Sequence, residues 1–165
     1  MRILGIDPGF ERLGVAILDP VVREKRNGEN YNHIVIFSEC FKTSAKLEFG
    51  ERLKLIGEEV QKIIREYKPE VLAIETLFLT NNQKTVMHVA EARGVITYEA
   101  SLAGLKIFEA SPPQIKIATT GYGKSDKKQI MKMVQMLVNI EKSKNSDDEM
   151  DAIAIALTAF AYLKS

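Results

Sequence analysis

The stretch ILGIDPG at residues 3–9 decides the fold. Ile3, Leu4 and Ile6 form a short apolar run that reads as a buried strand, and Asp7-Pro8-Gly9 is a strong turn signal directly behind it. The first strand therefore ends on a carboxylate. Residues 13–18 read as a second strand, close enough to make a hairpin with the first. The polar segment 23–32, with Asn27-Gly28 inside it, reads as a turn, and the alternating residues 34–41 as a third strand.

Further along, strands alternate with helices. Phe49, Leu53, Ile56, Val60, Ile63 and Tyr67 recur at steps of three and four, which predicts a helix over 48–67 with one apolar stripe, stopped by Pro69. VLAIE at 71–75 is a fourth strand and again ends on an acid. Residues 83–101 predict a helix with two less polar faces, Val86/Val89/Ile96 and Met87/Ala90/Gly94/Tyr98. One of these faces could meet a partner subunit, or both could be buried within one chain. A fifth strand at 105–108, a helix over 126–140 and an apolar helix over 147–164 complete the chain. Three early strands followed by alternating helices and strands predict an α/β fold, a five-stranded mixed sheet with helices on both faces.

Length and composition agree with one domain over 1–165. The 165 residues weigh 18.5 kDa, 45% are apolar and 27% charged, which is ordinary globular usage. Cys40 is the single cysteine, so no internal disulfide forms, and with His33 and His88 far apart no zinc-ligand spacing exists. No signal peptide or membrane-spanning run is read, and a cytoplasmic protein is expected. The net charge of +1 hides a strong asymmetry. Residues 106–144 hold eight lysines against three acids, and 145–165 hold four acids against one lysine. A basic stretch before an acidic knot suits a polyanion-binding surface beside a cation site.

The acids fall at the places where chemistry is built. Asp7 and Glu75 end strands, and sites in open α/β sheets form at the carboxyl ends of strands. Asp148 and Asp151, three residues apart at the start of the last helix, project from one face. Ser146 through Glu149 fits a capping box with dipole-favoured acids, which accounts for 147–149 but not for Asp151 beside the apolar run. Carboxylates gathered in a partly dry cleft need protons or cations. Hard oxygen ligands select Mg²⁺ or Mn²⁺ over zinc, and two such ions about 3.5–4 Å apart can activate water and stabilise a leaving phosphodiester oxygen. Gly123-Lys124-Ser125 imitates the end of a phosphate loop, but position 118 is alanine and no strand leads into it. Residues 121–124 read instead as a flexible basic loop.

ILGIDPG at 3–9, AIETLF at 73–78, EARG at 91–94 and DDEMDAIAIA at 147–156 resemble, in order and over essentially the whole chain, the RuvC family of bacterial Holliday-junction resolvases. The resemblance implies an RNase H-like fold, a homodimer with the Arg93-Gly94 helix as its dimer element, and nicking of two opposed strands of a four-way DNA junction to leave 5′-phosphate and 3′-hydroxyl ends. It implies Asp7, Glu75, Asp148 and Asp151 as catalytic metal ligands, with Asp148 rather than Asp147 paired to Asp151, and Mg²⁺ as cofactor, two ions per site, with Mn²⁺ able to substitute. Phe78 matches the family's base-stacking aromatic, and Lys116 and Lys127 its basic residues near the cleft. Lys124 and Lys128 are added as phosphate contacts from charge alone. The RuvA and RuvB branch-migration proteins are the implied partners. The 23–32 turn is longer and more polar than the family pattern, and Thr76 and Thr80 are not diagnostic. Asp7, Gly9, Arg12 and Gly14 also satisfy the DxGxxRxG opening of YqgF-like nucleases that act on RNA. That reading, and a non-catalytic junction-binding module, are the alternatives. An actin-like ATPase shares the DxG opening but needs two such domains.

Overall fold

A computed structural model describes residues 1–20, 33–77, 83–140 and 145–163, together with the backbone of 25–26 and 29–30. The elements in chain order are β1 (Ile3–Asp7), β2 (Arg12–Pro20), β3 (Lys25–Arg26), β4 (Glu29–Asn30), β5 (His33–Lys42), α1 (Phe49–Tyr67), β6 (Val71–Glu75), α2 (Gln83–Leu102), β7 (Lys106–Ala110), α3 (Pro112–Thr120), α4 (Lys127–Leu137), β8 (Val138–Asn139) and α5 (Asp147–Tyr162). The main sheet runs β7-β6-β1-β2-β5-β8. β1 and β2 form the expected antiparallel hairpin, and β1 lies parallel to β6.

The sheet has six strands rather than five. The sixth, β8, sits inside the segment expected to be helix to residue 140. That helix stops at Leu137, and Val138 and Asn139 pair instead with His33 and Ile34 of β5. β3 and β4 pair as a separate antiparallel ribbon within the segment read as a turn; the rest of 23–32 lies outside the described residues. α3 is a helix that periodicity did not show. Its first two residues are prolines, which suit a helix start because those N–H groups need no intrahelical partner. Ser111 and Gln114 form a capping box there, and Gly121 closes the other end in the left-handed region at φ 75°. The following loop, expected to be flexible, is tied by Thr120 and Ser125, whose hydroxyls lie 2.6 Å apart.

Two hydrophobic cores flank the sheet. Leu4, Ile6, Leu72 and Ile74 pack with Ile56, Val60, Ile63 and Ile96 under α1 and α2. Ile3, Val71 and Ala73 pack with Ile115, Val134 and the apolar side of α5. Side chains alternate across a strand, so Asp7 follows Ile3 and Gly5 onto the α5 face, and Glu75 follows Val71 and Ala73 there. α5 lies against the sheet with almost no clearance. A Cβ on Gly5 would stand 2.3 Å from the Ala152 carbonyl oxygen, and one on Gly14 would stand 2.1 Å from that of Asp148. Among the described residues no helix is long and apolar enough to cross a membrane.

Gly5→Ala is expected to push α5 off the sheet and destabilise the protein by about 1–3 kcal/mol, the usual cost of overpacking. Urea unfolding of the two proteins measures this.

Candidate active site

β1 and β6 run side by side with Ile6 opposite Ile74, so Asp7 and Glu75, the next residue on each, leave the sheet together. Gly14 is paired with Asp7 across the β1–β2 hairpin, and α5 rests on Gly14 at Asp148. One turn later the same helix carries Asp151. Asp7, Glu75 and Asp151 line a cavity of about 290 Å³ whose other walls include Lys116, Ser125, Lys127, Ile115 and Ile155. Asp148 does not line the cavity but is near enough to act on the charge of Asp7.

The loop after Asp7 is held from outside. Buried Arg52 donates Nη2 to the Phe10 carbonyl at 3.3 Å and Nε to Thr43 Oγ1 at 2.9 Å, and Thr43 donates to the same carbonyl. The Phe10 ring meets His88 edge-on at 5.0 Å. Glu75 is held through its main chain. Arg93 of α2 donates Nε to the Glu75 carbonyl at 3.2 Å and pairs with Glu109 at 2.5 Å, bridging the ends of β6 and β7. At the start of α5, Ser146 and Glu149 form the expected capping box. Glu149 is also buried against Ser38 and Asn145, at 2.8 and 2.9 Å.

The carboxylates differ in their electrostatic surroundings. Burial pushes Asp7 up to about 7, helped by the like charges of Asp151, Glu75 and Asp148. Burial, then Asp151, also raises Glu75. Asp148 is held below the usual carboxylate range, first by Arg12. Arg12 donates Nε to Asp148 Oδ2 at 2.9 Å and Nη2 to the same oxygen, and Cys40 Sγ lies 3.4 Å from it. Asp151 receives Lys127 Nζ at 3.0 Å, which also reaches Asp147 at 3.5 Å. Among the described residues no three acidic, cysteine or histidine side chains stand as a finished ion cage; two of the four acids are turned to side-chain cations instead. The donor set is nonetheless all hard oxygen, and burial with like charges around it lifts Asp7 toward neutrality, an electrostatic environment a divalent cation relieves.

The structure thus brings together Asp7, Glu75, Asp151, Lys116 and Lys127 in one cavity, with Asp148 adjoining. Lys124 and Lys128 are exposed nearby but do not line it. Phe78 lies outside the described residues. Ser125, the last residue of the false phosphate loop, is buried and donates to the Tyr122 carbonyl. Arg12, Cys40 and Arg93 were not singled out as site residues. Arg12 had a signal in the DxGxxRxG spacing, whereas long-range pairing alone reveals Cys40.

The family described as crossover junction endodeoxyribonuclease RuvC matches residues 3–159. This chain belongs to the RuvC family. Its relatives of that description include one from Thermosipho melanesiensis, 42% identical with 94% of each chain covered. Another, from Fusobacterium nucleatum, is 40% identical over all of this chain and 83% of the relative. The T. thermophilus RuvC structure in complex with a Holliday junction substrate superposes with a TM-score of 0.86 at 27% identity, covering 99% of this chain and 95% of that one. A yeast mitochondrial Holliday junction resolvase, at 13% identity and TM-score 0.66, shares the fold, covering 94% of this chain and 76% of its own. Matches over the whole chain resolve the ambiguity of the first motif in favour of RuvC over the RNA-acting alternative.

Because the folded pKa of Asp7 lies above its unfolded value, the native state holds that proton more tightly. Stability from this group is complete at low pH and is lost as pH rises from about 4 through about 7. In chelator at pH 8, Asp7→Asn is expected to be more stable than wild type by on the order of 4 kcal/mol, since each tenfold weakening of an acid that must stay ionised costs about 1.4 kcal/mol. The difference should vanish near pH 4, as read by urea unfolding at the two pH values.

Proposed function

We infer that this chain is a crossover junction endodeoxyribonuclease in which Asp7, Glu75, Asp148 and Asp151 would hold divalent ions for hydrolysis of the junction strands. The supporting observation is the convergence of Asp7, Glu75 and Asp151, from three separate elements, on one cavity that Lys116 and Lys127 also line. Mg²⁺ is the proposed ion, two per site, with Mn²⁺ as substitute, since both are hard cations matched to carboxylate oxygen. Such ions would supply an activated water and charge stabilisation for the leaving oxygen.

The chain's own groups do the positioning. Asp7 and Glu75, fixed at adjacent strand ends, hold one wall of the site. Asp148 and Asp151 hold the other, on a helix that cannot shift without striking Gly5 or Gly14. Lys116, half-buried in the cavity wall, is placed to meet a phosphate and to stabilise charge that builds on it. Lys127 spans Asp147 and Asp151, and can exchange them for phosphate when DNA arrives. Lys124 and Lys128 extend the cationic rim along the duplex. Phe78, three residues beyond Glu75, is proposed to stack on bases at the junction centre. Cutting would leave a 5′-phosphate and a 3′-hydroxyl.

Symmetric nicking of two opposed strands calls for two active sites. α2 offers a surface for a homodimer: Val86, Ala92, Ile96 and Ala100 face the core, while Met87, Tyr98 and Leu102 are 64%, 61% and 65% exposed. Of the two expectations for this helix, burial on both faces within one chain is excluded. RuvA and RuvB as partners, and the cytoplasm as the place of action, follow from the same family reading.

Two outcomes are expected. Asp7→Asn and Asp151→Asn should each lose Mg²⁺-dependent junction cleavage by more than about 100-fold while still binding the junction. Cleavage and gel-shift assays with Mg²⁺ and with chelator measure both, and undiminished cutting by either variant rejects the site. Junction affinity should fall steeply between low and physiological salt, with Lys124→Ala lowering the log–log slope by about 1, read from binding isotherms over a salt series.

A further inference from the structure

Arg12 is the charged side chain of the DxGxxRxG spacing that the proposed chemistry leaves without a task. It begins β2, and its guanidinium is half exposed beside Asp148. A guanidinium that binds a carboxylate for structural strength usually forks across both oxygens. Here Nε and Nη2 both fall on Oδ2 of Asp148, the oxygen that Cys40 also approaches. The pair sits at the surface, where such contacts are weak and readily exchanged. At the opposite flank, Lys127 makes the corresponding contact to Asp151. Each acid of α5 proposed as an ion ligand is thus paired with a side-chain cation.

A divalent ion on Asp148 would bring two further positive charges beside the guanidinium, and like charges at that distance repel. Arg12 and the ion therefore compete for Asp148. Released from it, Arg12 is left at the edge of a cleft that receives a phosphodiester, and the planar five-donor guanidinium is well suited to phosphate. We propose that Arg12 is an exchangeable counter-ion: it neutralises Asp148 in the ion-free enzyme, yields it to the divalent ion, and then takes a DNA phosphate. Ion binding and DNA binding are coupled through this one side chain, and the coupling is reciprocal. The proposal rests on the reading of Asp148 as an ion ligand.

The test measures binding rather than cutting. Calorimetric titration of the DNA-free protein with Mn²⁺ should show Arg12→Gln binding about threefold to fivefold tighter than wild type, with Arg12→Lys between them. Damage to the fold would weaken ion binding, so tighter binding separates competition from a structural role. Fluorescence anisotropy with a labelled four-way junction, in Ca²⁺ and in chelator, should show a Ca²⁺-dependent gain in affinity for wild type that shrinks by a similar factor in Arg12→Gln. Equal or weaker Mn²⁺ binding by Arg12→Gln overturns the proposal, as does an unchanged Ca²⁺-dependent gain. If Arg12→Gln does not fold, Arg12→Lys carries the same comparison. Asp148→Asn serves as the control for the underlying reading. If it binds Mn²⁺ and cleaves like wild type, Asp148 is not a ligand; if it loses both while Arg12→Gln matches wild type, only the counter-ion proposal falls.

Discussion

The near-contact between α5 and two glycines is the constraint on which the site depends. Gly5 and Gly14 lie on neighbouring strands, and each meets a main-chain carbonyl of α5 at a distance that leaves no room for a methyl group. A helix held that close cannot roll or slide without collision. Its first turns, and with them Asp148 and Asp151, are therefore placed relative to Asp7 by backbone contact rather than by flexible side chains. Parity does the rest. β1 and β6 run parallel with matched ends, so the acid closing each strand leaves the sheet on the α5 side.

Placing acids this close has a cost, and the protein offsets it at Asp7, Asp148 and Asp151. Asp7, the most confined, is raised to about 7 and approaches neutrality. Asp148 and Asp151 are compensated by Arg12 and Lys127. Glu75 is steadied through its carbonyl by Arg93, which leaves its carboxylate uncommitted to that arginine. The last arrangement also links α2 to the site. The helix that shows Met87, Tyr98 and Leu102 to the outside holds the end of β6 from its other side, so a subunit docked on α2 would brace the strand that carries Glu75.

Much of this was legible in the sequence, and the failures have physical causes. Apolar runs ending on Asp7 and Glu75 marked both strands and both acids, because buried strands and polar ends are written in consecutive residues. The i, i+3 spacing of Asp148 and Asp151 marked a shared helix face for the same reason. α3 escaped because nine residues that begin with two prolines carry too little period to read; Lys116 was reached through the family resemblance, without the helix that carries it. β8 escaped because its strand state comes from β5, more than a hundred residues earlier in the chain, and tertiary pairing overrode the helical pattern. Arg12 on Asp148 joins residues 136 apart, and no local pattern contains such a contact.

The two faces of the sheet divide the work. The face under α1 and α2 is a closed apolar core, with Leu4, Ile6, Leu72 and Ile74 fully buried. The other face carries α3, α4 and α5 together, packed through Ile115, Val134 and Ile153. The basic stretch and the acidic knot, successive in sequence, thus become neighbours on one surface. An acidic cavity alone would repel a DNA backbone, and a lysine surface alone would bind DNA without cutting it. With Lys116 and Lys127 set into the walls of the cavity that Asp7, Glu75 and Asp151 also line, attraction for the phosphates acts within a few ångströms of the carboxylates. Lys127 also neutralises the carboxylates in part, through Asp151 at 3.0 Å and Asp147 at 3.5 Å.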